Sequence, residues 1–155
     1  MSRAEMRRGA RLSVVQALYE MEVGGRGVVE AMAEFEAFWI GKEVEDVELP
    51  KAEIAFFRDI LGGVVREQRL VDRTVDDLLA KSWPLKRVEA VVRAILRAGA
   101  YELAFRKDVP ARAVISEYVA VARAFYEGEE IGMVNAVLDR MAREFRADEF
   151  DEPAA

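Results

Sequence analysis

Val134-Asn-Ala-Val-Leu-Asp-Arg-Met-Ala-Arg-Glu-Phe145 is the stretch that decides how this chain folds. Its large apolar residues, Val134, Val137/Leu138, Met141 and Phe145, recur at i, i+3, i+4, i+7 and i+11, the stripe of a helix that buries one face. A strand, with its period of two, does not produce that spacing. The same period returns on working outward. Val114/Ile115, Tyr118, Ala122 and Phe125 carry it after Pro110, and Val88, Val91/Val92, Ile95, Gly99 and Leu103 carry it across Lys86–Phe105. Pro84, beside Ser82-Trp83, suits the first turn of a helix. Farther back, Ile54, Phe57, Ile60/Leu61 and Val64/Val65 predict a helix from about Lys51 that continues or kinks into Arg69–Lys81. Met32, Phe35 and Phe38/Trp39 predict another over Val28–Ile40. A first helix over Ala4–Val23 should stop at Gly24-Gly25.

These patterns predict an all-α fold, a single compact domain of about six or seven helices in packed bundles with short connections. The helical domain is assigned to residues 1–147, with a subdomain boundary near 82–86. Residues 148–155 form an acidic tail, expected to be frayed or disordered. The charged connector Gly41–Pro50 alternates like a strand, but its few large apolar residues predict a loop that partly packs. Trp39 and Trp83 lie beside helix ends, where an aromatic can serve core, cap or partner.

The chain has no His and no Cys among its 155 residues. That removes the usual zinc and haem ligands, thiol nucleophiles and imidazole bases. No glycine-rich phosphate loop is present, since Gly24-Gly25-Arg26-Gly27 and Gly62-Gly63 have the wrong spacing. A non-enzymatic protein without a cofactor or metal is therefore expected. Asp72, Asp76 and Asp77 read as a solvated helix face with Arg69 and Arg73 in reach. Glu127, Glu129 and Glu130 lack calcium-loop spacing. No run approaches the roughly 20 apolar residues of a membrane span, and the amino terminus lacks a secretory signal's apolar core. A cytoplasmic protein with no membrane partner follows as an expectation.

The charge distribution points to a binding role. The chain carries a formal charge of −6, yet its first eleven residues hold four arginines and one glutamate. Arg3, Arg7, Arg8 and Arg11 are spaced for one helical edge that continues towards Gln16 and Tyr19. Guanidinium forks match phosphate oxygens, and Tyr or Gln can meet an unstacked base. Four neutralised phosphates would give log K against log[salt] a slope of about −3 for a single strand. Cations at a helix amino terminus oppose the macrodipole, so this segment is expected to order fully only when an anion arrives. Arg93 and Arg97 form a second basic pair, with Glu89 placed one turn before Arg93. A protein-only helical adaptor or homodimer, its basic helix bound to an acidic partner, remains the alternative.

Three segments, in order, resemble the NusB family of transcription antitermination factors. They are Arg7-Arg-Gly-Ala-Arg-Leu-Ser-Val-Val-Gln-Ala-Leu-Tyr19, Val88–Leu103 followed by Asp108-Val-Pro110 and Ala113-Val-Ile-Ser-Glu117, and Ala122-Arg-Ala-Phe125 with Val134-Asn-Ala-Val-Leu-Asp139. The resemblance implies two packed helical subdomains. It also implies binding of the single-stranded boxA element of nascent ribosomal RNA together with NusE, a small-ribosomal-subunit protein, within an RNA polymerase antitermination complex. Carried over by position, it implies an RNA edge of Arg7, Arg8, Arg11, Gln16, Tyr19 and Arg97, to which the charge pattern adds Arg3. Tyr19, Glu22 and Glu89 fall where family members meet NusE. Family members occur as monomers and dimers, so a homodimer stays open. Gly9 interrupts the arginine run, Ser116 replaces a common Asn, and Gly132-Met133 stands in place of Lys/Arg-Phe, which removes a potential RNA contact.

Overall fold

The structure, a computed structural model, describes residues 2–38, 43–44, 47–48, 51–79 and 88–150. Eight helices occur among them: α1 (Arg3–Gly24), α2 (Val28–Phe38), α3 (Lys51–Arg66), α4 (Gln68–Leu78), α5 (Ala90–Phe105), α6 (Ala111–Phe125), α7 (Glu129–Phe145) and α8 (Ala147–Phe150). The chain divides into two compact units, Met1–Gln68 and Arg69–Ala155. The boundary expected at 82–86, the helix start at Pro84, Trp39 and Trp83 all lie outside the described residues.

In the first unit, α1 packs on α2 and α3. Ser2 is its N-cap, its side chain accepting from the Glu5 backbone N–H at 3.1 Å. Ser2-Arg-Ala-Glu5 has the spacing of a capping box, which offsets the unfavourable dipole of an arginine-rich start. The terminus expected to order only on binding is thus helical from Arg3. At the other end Gly25 adopts φ +70° and donates to Met21 O at 3.0 Å, the left-handed stop predicted from Gly24-Gly25. Val14, Val15 and Leu18 of α1 share a buried core with Phe35, Phe57, Ile60 and Leu61, in which the Phe35 and Phe57 rings stack at 6.0 Å.

The connector expected as a loop instead contains two short strands, β1 (Glu43–Val44) and β2 (Val47–Glu48). They pair antiparallel with Glu43 opposite Glu48 and Val44 opposite Val47. Cross-strand pairing gives these residues hydrogen-bond partners for their backbone groups. The helix begun at Lys51 breaks at Glu67, so α3 and α4 are separate.

In the second unit, α5, α6 and α7 pack on one another. The stripe predicted for α5 understated its burial. Besides Val92, Ile95, Gly99 and Leu103, the helix buries Ala94, Leu96, Ala98, Ala100, Tyr101 and Glu102, the pattern of a helix surrounded by neighbours. Small residues let those neighbours approach. A Cβ on Gly99 would lie 2.8 Å from Leu138 Cδ2, and Leu138 is itself fully buried on α7. Gly99→Ala should therefore destabilise by about 1 kcal/mol, overpacking of about 2 kcal/mol being partly offset by alanine's helix propensity. Urea denaturation checks this; a stabilised variant would contradict the close crossing.

The acidic tail departs from expectation at its start. Residues 147–150 form α8, and Glu149 accepts from the Ala111 backbone N–H at 2.9 Å and from Arg146 at 2.6 Å. A carboxylate that caps one helix and pairs with a buried guanidinium has reason to stay ordered. Residues 151–155 lie outside the described set.

Candidate nucleic-acid interface

Helix α1 sorts its arginines by face. Arg3 and Arg8 are exposed and Arg7 is half-buried. Arg11, expected on the same solvent-facing edge, is only 3% exposed. Phe56 of α3 forms part of the cover: the Arg7 guanidinium stands 4.5 Å from its ring centroid and that of Arg11 5.0 Å. Two cations over one buried aromatic gain from the ring's negative face. Arg11 is therefore a packed positioning residue in this structure, not a presented one. Arg8 and Tyr19, eleven residues apart, return to the same helical face about 16 Å apart along the axis. Tyr19 is 39% exposed, Glu22 is exposed and Gln16 is half-buried.

The pattern of the sequence missed Phe56, because Phe57 already filled the helical stripe of α3. An aromatic beside that stripe was the available signal. Phe56→Leu should cost about 1–2 kcal/mol of stability through loss of the two cation–ring contacts and ring area. It should also weaken RNA binding about threefold without changing the salt slope, since no phosphate contact is removed. Anisotropy at several salt concentrations reads this, and a changed slope would contradict the positioning role.

Glu89 and Arg97 belong to the second unit. Arg97 makes a bidentate ion pair with Asp72 of α4, at 2.7 Å and 3.2 Å. Asp72, expected on a solvated face beside Arg69 and Arg73, is thus matched from 25 residues away. An Arg97 so engaged must exchange a well-formed carboxylate partner before it can hold a phosphate. Glu89, expected to pair with Arg93, sits at the N-cap of α5 and accepts from Tyr126 Oη at 3.1 Å.

The match to a family model described as the NusB family spans residues 8–143. The chain belongs to the NusB family. A NusB relative from Rhodopseudomonas palustris, named transcription antitermination protein NusB, is 62% identical over 148 residues, covering 96% of this chain and 85% of the relative. The NusB of Nitrobacter hamburgensis carries the same name and is 60% identical, covering 96% and 92%. Among solved structures, NusB of T. maritima superposes with a TM-score of 0.78 at 27% identity, covering 93% of this chain and 96% of that one. A NusB solved with NusE and double-stranded RNA shares the fold at a TM-score of 0.76 and 22% identity, covering 90% and 98%.

Proposed function

We propose that this chain is a transcription antitermination factor that binds boxA-like single-stranded RNA together with NusE, inside an RNA polymerase antitermination complex. The observation that carries this reading is the arginine edge of α1. Arg3 and Arg8 are presented to solvent, and Arg7 is held over Phe56, on a chain whose overall charge would repel RNA. Such an edge gives affinity through phosphates, while Tyr19 and Gln16 offer contacts to bases. The curated relatives carry the antitermination name, and a related NusB was crystallised with NusE and double-stranded RNA, which supports NusE and RNA as partners here. Tyr19 and Glu22 are offered to NusE, with Glu89 a further contact from the second unit. The protein acts in the cytoplasm and by binding, without catalysis; no helix among the described residues is long and apolar enough to cross a membrane.

Titration of a boxA-like RNA and its scrambled counterpart, each with and without NusE, tests this reading. NusE should raise affinity for the boxA-like RNA by at least tenfold more than for the scrambled one. Equal binding of both RNAs in both conditions would overturn it in favour of a protein-only adaptor or homodimer.

A further inference from the structure

The second unit carries an open trough of about 360 Å³ that the RNA edge does not use. Arg112, Ser116 and Arg123 of α6, Asn135 and Asp139 of α7 and Phe150 of α8 line it. Residues 112, 116, 119 and 123 repeat at i, i+4, i+7 and i+11, so one face of α6 forms the wall. Ile115 and Val119, both nearly buried, supply an apolar floor.

The charges are unevenly matched. Asp139, the only acidic residue among the described residues that line the trough, is held by Arg143 Nε at 2.9 Å. Arg123 has no carboxylate partner among the described residues, despite the glutamates of the nearby turn. Arg112 rests over the Phe150 ring at 5.0 Å, with Arg143 on the same ring at 4.8 Å. Arg112 also stands in the first turn of α6, where a cation opposes the helix dipole. Two guanidiniums thus flank an apolar floor, separated by eleven residues of helix, or about 16 Å.

We infer that this trough is a docking site for an extended acidic peptide segment with the pattern acid-x-apolar-x-acid. In an extended chain, residues i, i+2 and i+4 face the same way and span about 13 Å, which flexible arginine side chains can extend to the roughly 16 Å of helical rise between the two positions. The outer carboxylates meet Arg112 and Arg123, the central apolar side chain meets Ile115 and Val119, and Asn135 and Ser116 bond the peptide backbone. A compact dianion reaches only one arginine. A polyphosphate backbone places repeated charge against Asp139, and the trough's aromatic ring is already taken by two guanidiniums, leaving little for a base to stack on.

The full-length chain is titrated into a fluorescein-labelled peptide, Gly-Ser-Glu-Ser-Leu-Ser-Glu-Ser-Gly, and anisotropy is read at low salt. A second peptide has both glutamates replaced by glutamine, and a third probe is a uridine hexanucleotide. The acidic peptide should bind and weaken with salt, and the glutamine peptide should bind at least tenfold more weakly. Arg123→Glu, an exposed change whose folding is checked by circular dichroism, should lose at least tenfold for the acidic peptide. Arg8→Glu should leave that binding unchanged, which separates this site from the RNA edge. Absence of peptide binding overturns the proposal. So do equal losses in Arg123→Glu and Arg8→Glu, or displacement of the peptide by the hexanucleotide from the wild-type chain but not from Arg8→Glu.

Discussion

Arg146→Met is expected to destabilise the protein by about 3–5 kcal/mol, the range for breaking a buried charged network by removing one partner. Arg146 is 1% exposed. Its Nε donates to Leu103 O at 2.7 Å, Nη1 to Val109 O at 2.9 Å and Glu149 Oε2 at 2.6 Å, and Nη2 to Glu102 O at 3.1 Å and Arg106 O at 2.8 Å. All five donors of the fork are used. The carbonyls belong to the end of α5 and the turn after it, where a cation also complements the helix dipole. Methionine fills much of the volume but leaves four carbonyls, three buried and one part-buried, without this donor, each a desolvation cost. Arg146→Lys should recover less than half, because an ammonium cannot reproduce the planar fork. For a chain of this length the loss corresponds to a fall in Tm of roughly 10 °C. Thermal and urea unfolding measure it, and a loss under about 1 kcal/mol would show that this network contributes little.

The same network sets an acid limit. The Ala111 N–H, and then Arg146, hold the Glu149 carboxyl below its ordinary value of 4.5. A depressed native pKa adds stability that is fully present above the unfolded value and lost as pH falls through the native one. Stability should thus decline on acidification below about pH 4.5, and Glu149→Gln should flatten that decline while lowering stability at pH 7. Identical acid profiles for the two proteins would contradict the assignment.

The second large effect concerns RNA. Arg7→Ala/Arg8→Ala is expected to weaken single-stranded RNA binding by about ten- to a hundredfold at low salt, two charge-assisted phosphate contacts being lost. The loss should fall on boxA-like and scrambled RNA alike, because phosphate contacts carry no sequence information directly. Arg8 is exposed and Arg7 half-buried, so the fold should survive both changes. Arg11→Ala should behave differently: it removes a buried residue from the face of Phe56, so stability should fall more than the RNA contacts themselves. Anisotropy paired with urea unfolding separates the two classes, and equal profiles for Arg8→Ala and Arg11→Ala would contradict the sorting of faces.

Local pattern revealed what local physics controls. The α7 stripe, the glycine stop of α1 and the helix after Pro110 were legible because period, cap and turn chemistry act within a few residues. What was not legible depended on distant partners. Arg97 meets Asp72 across 25 residues and Arg146 reaches Leu103 across 43, and no periodicity encodes such pairs. Arg11 was misplaced for the same reason: helical spacing groups arginines by face, but contacts from distant residues such as Phe56 of α3 decide which of them are covered. The Ser2–Glu5 cap was readable and outweighed the dipole argument that predicted disorder.

The most direct test is the salt dependence of boxA-like RNA binding with NusE held constant. With Arg3 and Arg8 exposed, Arg7 half-buried and Arg11 withdrawn, about three phosphates are neutralised, and log K should fall with log[salt] at a slope of about −2. The same slope should drop towards −1 in the Arg7→Ala/Arg8→Ala protein. A slope near zero, or one unchanged by the double substitution, would contradict an RNA edge built on the arginines of α1.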